Sequence, residues 1–214
     1  MDDAATRDFV DEWAARTASA DGVVFDFGGV ISVAPSSGDW PIYGYCESRG
    51  VDRAAFDAGW DRYRHMYDGG VMGFEEMYRR IFADAGAGEP TAEDFAAIWR
   101  LDIEGWIKEL RPDTLALMRR IKADGRKVGI LTNMSPDFYE KLFVARAAEY
   151  RALADAEVVS GLVRLYKPQP EIYALMERRI GLPAGRLFFL DDLQKNVDAA
   201  RGCGWQAELY PALR

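Results

Sequence analysis

The chain has 214 residues, enough for one full domain with a modest insertion and too few for two large ones. Hydrophobic residues make up 49% and charged residues 29%, values that exclude wholesale disorder, and an aromatic content of 13% supplies a large core. A net charge of −8 opposes binding to nucleic acid and to anionic lipid surfaces, although a local cation can still reverse the field inside a pocket.

The two cysteines, Cys46 and Cys203, lie far apart and form no C-x-x-C pair, so neither a disulfide framework nor a structural zinc site is expected. The opening Met-Asp-Asp resembles no basic n-region or apolar h-region, so a signal peptide is not expected, and no window approaches the roughly 18 apolar residues of a membrane span. These features lead us to expect a cytoplasmic protein with reduced thiols.

Residues 5–19 place Phe9, Val10, Trp13 and Ala14 on one helical face, which predicts an N-terminal helix packed on the body or on a second subunit. Val23–Phe27 is a short apolar run closed by Gly28-Gly29, as in a buried parallel strand ending at a tight turn. Comparable runs follow at 127–132, 157–160 and 186–190, with a weaker one at 205–209. Helical patterns separate them at 112–123, 137–153, 170–180 and 193–201. This alternation predicts an α/β fold with a central parallel sheet covered on both faces. The stretch from 33 to about 108 breaks the alternation. Its segments 52–67, 73–86 and 91–106 read as helices, so we expect a helical cap inserted after the first strand. The expected organisation is an extra helix over 1–20, a core of 21–32 and 109–214, and a cap over 33–108.

The functional signal is positional. Asp26, Thr132, Lys167 and the pair Asp191-Asp192 each closely follow a predicted parallel strand, and the carboxyl ends of such strands converge on one crevice where ligands bind. Any one of these residues alone reads as a turn former, a helix cap or a solvated lysine. Three carboxylates in one crevice repel each other, and a divalent cation relieves the conflict. With oxygen ligands only, and no Cys or His nearby, a hard ion such as Mg²⁺ is selected. Together with Lys167 it makes a positive niche for a phosphoryl group, which a carboxylate can attack to form an aspartyl-phosphate.

Four segments carry a resemblance. Val-Val-Phe-Asp26-Phe-Gly-Gly-Val-Ile resembles motif I of the haloacid dehalogenase superfamily, and Ile-Leu-Thr132-Asn133 resembles motif II. Lys167-Pro168-Gln169-Pro170-Glu171-Ile172-Tyr173 is similar to the motif III segment, and Phe-Phe-Leu-Asp191-Asp192-Leu-Gln-Lys-Asn196 to motif IV. The likeness spans residues 22–210 and is nearest to the branch of the bacterial glucose-1-phosphate phosphatases and the N-terminal phosphatase domain of soluble epoxide hydrolase. It implies a HAD-like Rossmannoid core with a C1-type helical cap, and a Mg²⁺-dependent phosphatase acting on a small phosphorylated metabolite such as a sugar phosphate. The sequence leaves monomer and homodimer both open, with the leading helix as a contact element for the second.

By the same resemblance Asp26 is nucleophile and metal ligand, the Gly28 carbonyl a second ligand, Asp192 a direct ligand and Asp191 a ligand through water. Thr132 and the backbone around Asn133 hold phosphate oxygens, and Lys167 neutralises Asp26 and the phosphoryl group. Asn196 is either an orienter of these groups or an exposed helix residue. Most phosphatases of the superfamily carry an acid two residues after the nucleophile, where this chain has Gly28. Without it, turnover is expected to depend steeply on the leaving group. His65, the single histidine, is the first alternative donor, although a lone histidine is more often a surface residue. Trp40, Tyr43, Tyr45 and Trp60 either line a substrate pocket or pack the core. Two other readings stand beside the phosphatase. One is a haloacid dehalogenase, which Asp191-Asp192 disfavours because an acidic pair without a cation opposes an anionic substrate. The other is a catalytically weak binding module, suggested by Gly28 alone.

Overall fold

A computed structural model describes residues 3–34 and 40–211. The expected domain boundaries place residues 1–2, 35–39 and 212–214 in the leading helix, the cap and the core, but those positions lie outside the described residues.

Five strands form one parallel sheet: β1 (Gly22–Phe25), β2 (Lys127–Thr132), β3 (Ala156–Val159), β4 (Leu187–Asp191) and β5 (Gln206–Leu209), in the order β3-β2-β1-β4-β5. Val23, Val24 and Phe25 are fully buried, because helices cover both faces of the sheet and leave no polar side to β1. The order places β1 between β2 and β4. Consecutive strands on one side therefore diverge from those on the other, and a crevice opens at the carboxyl end of β1.

Helix α1 (Asp3–Arg16) precedes the sheet and packs on the body of the protein. Its Trp13 lies 4.8 Å from the Tyr210 ring and its Phe9 5.8 Å, while the buried Arg111 guanidinium stacks on both Phe9 and Tyr210. Between β1 and β2 the chain is helical: α2 (Pro41–Ser48), α3 (Arg53–Asp68), α4 (Phe74–Asp84) and α5 (Ala92–Ile98). It leaves and returns side by side, with a single antiparallel bridge between Ser32 and Leu110. Helix α2 was not expected from periodicity. It is short, and Pro41 at its first turn together with buried Ile42 and Cys46 supports it.

Two expected helices are broken. The segment 91–106 continues past α5 as a π-helical turn, Trp99–Ile103, and a 3₁₀ turn, Glu104–Ile107. The segment 137–153 is α7 (Pro136–Phe138), a π-helical Tyr139–Phe143, α8 (Val144–Arg146) and α9 (Ala148–Arg151), after α6 (Pro112–Ala123) and β2. An extra residue in the turn lets Phe138 and Phe143 both meet Phe27 edge-on, at 5.8 and 5.1 Å, next to Asp26. Such a turn is invisible to a 3.6-residue period. The remaining helices are α10 (Ser160–Val163), α11 (Pro170–Ile180) and α12 (Gln194–Gly202). Among the described residues no helix is long and apolar enough to cross a membrane.

Candidate active site

Asp26 is the first residue after β1, and its N–H still bonds to the Leu190 carbonyl of β4 at 2.9 Å. The strand ladder thus fixes the backbone from which the carboxylate projects. Gly29 follows with φ +72°, a conformation that disfavours any side chain, and a Cβ there would lie 2.5 Å from Asp192 Oδ2. The turn is tight because the acidic pair at the end of β4 closes on it.

Lys167 Nζ is the pivot of the site. It lies 2.8 Å from Asp26 Oδ1 and 2.6 Å from Asp191 Oδ2, and its side chain is buried. Its backbone is held by Asn133, whose Oδ1 accepts from the Lys167 N–H at 2.8 Å and whose Nδ2 donates to the Lys167 carbonyl at 2.9 Å. The Asn133 side chain thus fixes the Lys167 backbone. The Lys167-Pro168 peptide is cis. Asp191 is fully buried and held at both oxygens: Asn196 Nδ2 lies 3.0 Å from each, and the Leu193 N–H donates to Oδ1 at 2.9 Å. Asn196 is thus a buried orienter and not an exposed helix residue.

Carboxylate oxygens of Asp26, Asp191 and Asp192 all lie within 4.8 Å of one another. Burial pushes the Asp26 carboxyl up to about 7, helped by Asp191 and Asp192 and opposed by Lys167. Burial and then Asp191 push Asp192 up to about 6. Burial alone would lower Lys167, but Asp191 and Asp26 hold it above the ordinary lysine value, so the ammonium stays charged. One ammonium cannot neutralise three carboxylates. The crowding that raises these carboxyls and the all-oxygen donor set match a hard divalent cation.

These residues floor a cavity of about 360 Å³. Gly28, Thr132, Asn133 and Asn196 line it with Asp26, Lys167 and Asp192; Asp191 sits behind them. The opposite wall comes from the inserted helices. Trp60, Arg64, His65 and Asp68 of α3 line it, as does Trp106. Of the four aromatic residues singled out in the sequence, only Trp60 reaches the cavity. Trp40 packs against Trp60 and Phe56 and donates to the Leu101 carbonyl, while Tyr43 and Tyr45 bond to Asp57 and Asp94.

Four contributors escaped the sequence reading. Trp106 covers Gly28, where an added Cβ would meet its ring at 3.2 Å. Arg64 lies over the Trp60 ring at 4.2 Å and pairs with Asp68 at 2.8 Å. Ser160 ties the inserted helices to the core, donating to the Asp68 carbonyl at 2.5 Å and accepting from the Met134 N–H at 2.8 Å. Arg111 donates to the Gly29 carbonyl at 3.2 Å and pairs with Asp113, buttressing the turn after Asp26. The Arg111-Pro112 pair beside a helix start was its only signal, and that signal is common to surface arginines.

Comparison with known proteins agrees with this architecture. The chain is 29% identical over 120 residues to enolase-phosphatase E1 of Erwinia tasmaniensis, covering 50% of this chain and 48% of that protein. It is 31% identical over 93 residues to an (S)-2-haloacid dehalogenase of Pseudomonas fluorescens, covering 44% and 40%. Each match spans less than half of the relative's length. A HAD family enzyme of Bacteroides thetaiotaomicron, solved as a magnesium complex, shares the fold with a TM-score of 0.69 and 18% identity, covering 92% of this chain and 96% of that one. Residues 20–204 match the family described as haloacid dehalogenase-like hydrolases, and to that family the chain belongs.

Proposed function

We propose that this chain is a Mg²⁺-dependent phosphomonoesterase acting on a small phosphorylated metabolite, with a sugar phosphate as the finer reading. The observation that carries it is the bridge of Lys167 between Asp26 and Asp191, with the Asp192 carboxylate facing the same cavity. Asp26, the Gly28 carbonyl and Asp192 would hold the ion, with Asp191 behind them through water. Its chemistry would be to neutralise charge on the carboxylates and on the phosphoryl oxygens. Thr132 and the backbone of Asn133 receive phosphoryl oxygens, and Lys167 balances the charge that the phosphoryl group brings. Asp26 attacks phosphorus, the bond to the leaving oxygen breaks, and water later splits the aspartyl-phosphate. The helices between β1 and β2 act as the cap that walls the substrate in and selects it.

Asp26→Asn is expected to abolish hydrolysis of p-nitrophenyl phosphate in Mg²⁺ while leaving the circular dichroism spectrum and melting transition in place. Near wild-type turnover by the folded variant would refute the nucleophile assignment.

A haloacid dehalogenase is the second reading, favoured by the identity to the Pseudomonas fluorescens enzyme. The Asp192 carboxylate opposes it, because an anionic haloacid would meet uncompensated negative charge in the cavity. Halide release from 2-chloropropionate in chelator, without phosphate release from aryl phosphates, would establish it instead.

A further inference from the structure

The phosphatase reading leaves one chemical vacancy. Cleavage of an unactivated phosphate ester gains about 10²–10⁴-fold from a proton donor at the leaving oxygen. Gly28 supplies none, and the indole of Trp106 fills the space that a side chain at position 28 would enter. The opposite wall of the cavity, built by the inserted helices, offers other proton carriers.

Several groups on that wall carry protons. His65 and Asp61 are exposed, and the His65 ring lies 5.9 Å from that of Tyr166. Arg64 does not release a proton near neutral pH; its Nε pairs with Asp68, its guanidinium lies over the Trp60 ring, and its Nη1, 3.6 Å from Asp102, has no hydrogen-bond partner among the described residues. Asp68 differs from all of these. It ends α3, lines the cavity and is only 9% exposed. Its position is fixed by the core and not by its own helix alone. Ser160 Oγ bonds to its carbonyl and also to the N–H of Met134, two residues from Thr132. The neighbouring Tyr67 hydroxyl donates to Asp137 Oδ1 at 3.0 Å, and Gly70 packs so closely on Gly161 that a Cβ would lie 2.5 Å from its carbonyl oxygen. Of the two Asp68 oxygens, Oδ1 accepts from Arg64 Nε at 2.8 Å, and no described group bonds to Oδ2.

We propose that Asp68, carried by the inserted helices, is the catalytic acid and base that the core lacks at position 28. The inference rests on the phosphatase reading. In the first step an Asp26 oxygen bonds to phosphorus, the bond from phosphorus to the leaving oxygen breaks, and its electron pair takes the proton from Asp68 Oδ2. In the second, water bonds to phosphorus and gives its proton to the Asp68 carboxylate. The bond from phosphorus to Asp26 breaks, and phosphate leaves. Asp68 ends each cycle protonated, as it began.

The surroundings favour a carboxyl that holds a proton. Asp102 and Asp137 face Asp68 from the π-helical turn and from α7, and only Arg64 opposes them. Burial, against Arg64, brings the group up to about 6. Asp102 accepts from Tyr78 Oη at 2.8 Å and Trp106 Nε1 at 3.2 Å; burial pushes its carboxyl up, and Arg64 and these donors oppose that shift.

The test is pre-steady-state phosphorylation with phosphate esters of graded leaving-group pKa, in Mg²⁺, for the wild type, Asp68→Asn and His65→Gln. The amide of Asp68→Asn keeps an acceptor for Arg64, so the fold is retained; melting curves check this. The wild type should show a shallow dependence on leaving-group pKa. Asp68→Asn should make it steep, costing about 10²–10⁴-fold with alkyl phosphates and far less with p-nitrophenyl phosphate. The same variant should give a p-nitrophenolate burst followed by slow turnover, because water attack has lost its base. A steep dependence in the wild type overturns the proposal without any variant. So does an equal loss across all substrates in Asp68→Asn, or a steepening confined to His65→Gln. If the wild type forms no phosphoenzyme with any ester, the phosphatase reading itself falls, and this inference with it.

Discussion

At the scale of single residues the site is a problem of unequal charges. Lys167 balances one of three carboxylates, and the sequence order alone places the four groups at strand ends. What each side chain then does depends on partners far away in the chain. Asn133 is the clearest case: its side-chain amide forms a two-way pair with the backbone of Lys167. Asp68 adds a consequence for stability. Its carboxyl is raised to about 6 from an ordinary 3.8, so between these values the folded chain binds a proton that the unfolded chain does not. Unfolding then releases a proton, and stability falls as pH rises from about 4 to about 6, by at most about 1.4 kcal/mol per pH unit for one group. Asp26 and Asp192 contribute with the same sign, so the Asp68 share is the difference between two curves. Chemical denaturation of chelated wild type and Asp68→Asn across this range should show the shallower decline in the variant. A steeper decline in the variant would mean that Arg64 keeps Asp68 ionised.

At the scale of elements the strands were legible and two of the turns were not. Apolar runs ending in polar residues locate β1, β2 and β4 to within a residue or two, because strands buried on both faces have no alternative composition. The π-helical and 3₁₀ turns after α5 have no such signature, and they carry Asp102 and Trp106 to the site. Trp106 makes a prediction about Gly28. Replacing Gly28 with Asp does not simply restore a donor, since its Cβ would sit 3.2 Å from the indole. The variant should lose about 1–3 kcal/mol of stability through overpacking and gain no activity. In urea titrations Gly28→Asp should cost less in a Trp106→Ala background than in the wild type. An equal cost of Gly28→Asp in the two backgrounds would show that the indole moves aside without cost.

For the whole molecule the dominant fact is an acidic chain that gathers three of its carboxylates at one point. A divalent ion that binds only the folded state stabilises it by about 2.7 kcal/mol when present at a hundred times its Kd. Thermal melting with and without MgCl₂ should therefore show a rise, and Asp192→Ala should remove more of it than Asp191→Ala. Asp192 faces the cavity, whereas Asp191 is taken up by Lys167, Asn196 and the Leu193 N–H. Equal losses, or a larger one in Asp191→Ala, would reverse that order.

Composition, the alternation of strand and helix, and the placing of Asp26, Thr132, Lys167 and Asp191-Asp192 after strands were enough to determine the fold class and the floor of the cavity. Both follow from local rules: a parallel sheet needs apolar runs, and its carboxyl ends must converge. The opposite wall was decided only by the tertiary structure. Arg64, Asp68 and Trp106 lie on inserted helices whose sequence shows only that they are amphipathic. Their approach to Asp26 depends on Ser160, Gly161 and Asp137, more than 65 residues further along the chain from the end of α3. Helical periodicity specifies which face of an element is buried. It carries no information about which distant loop that face will meet.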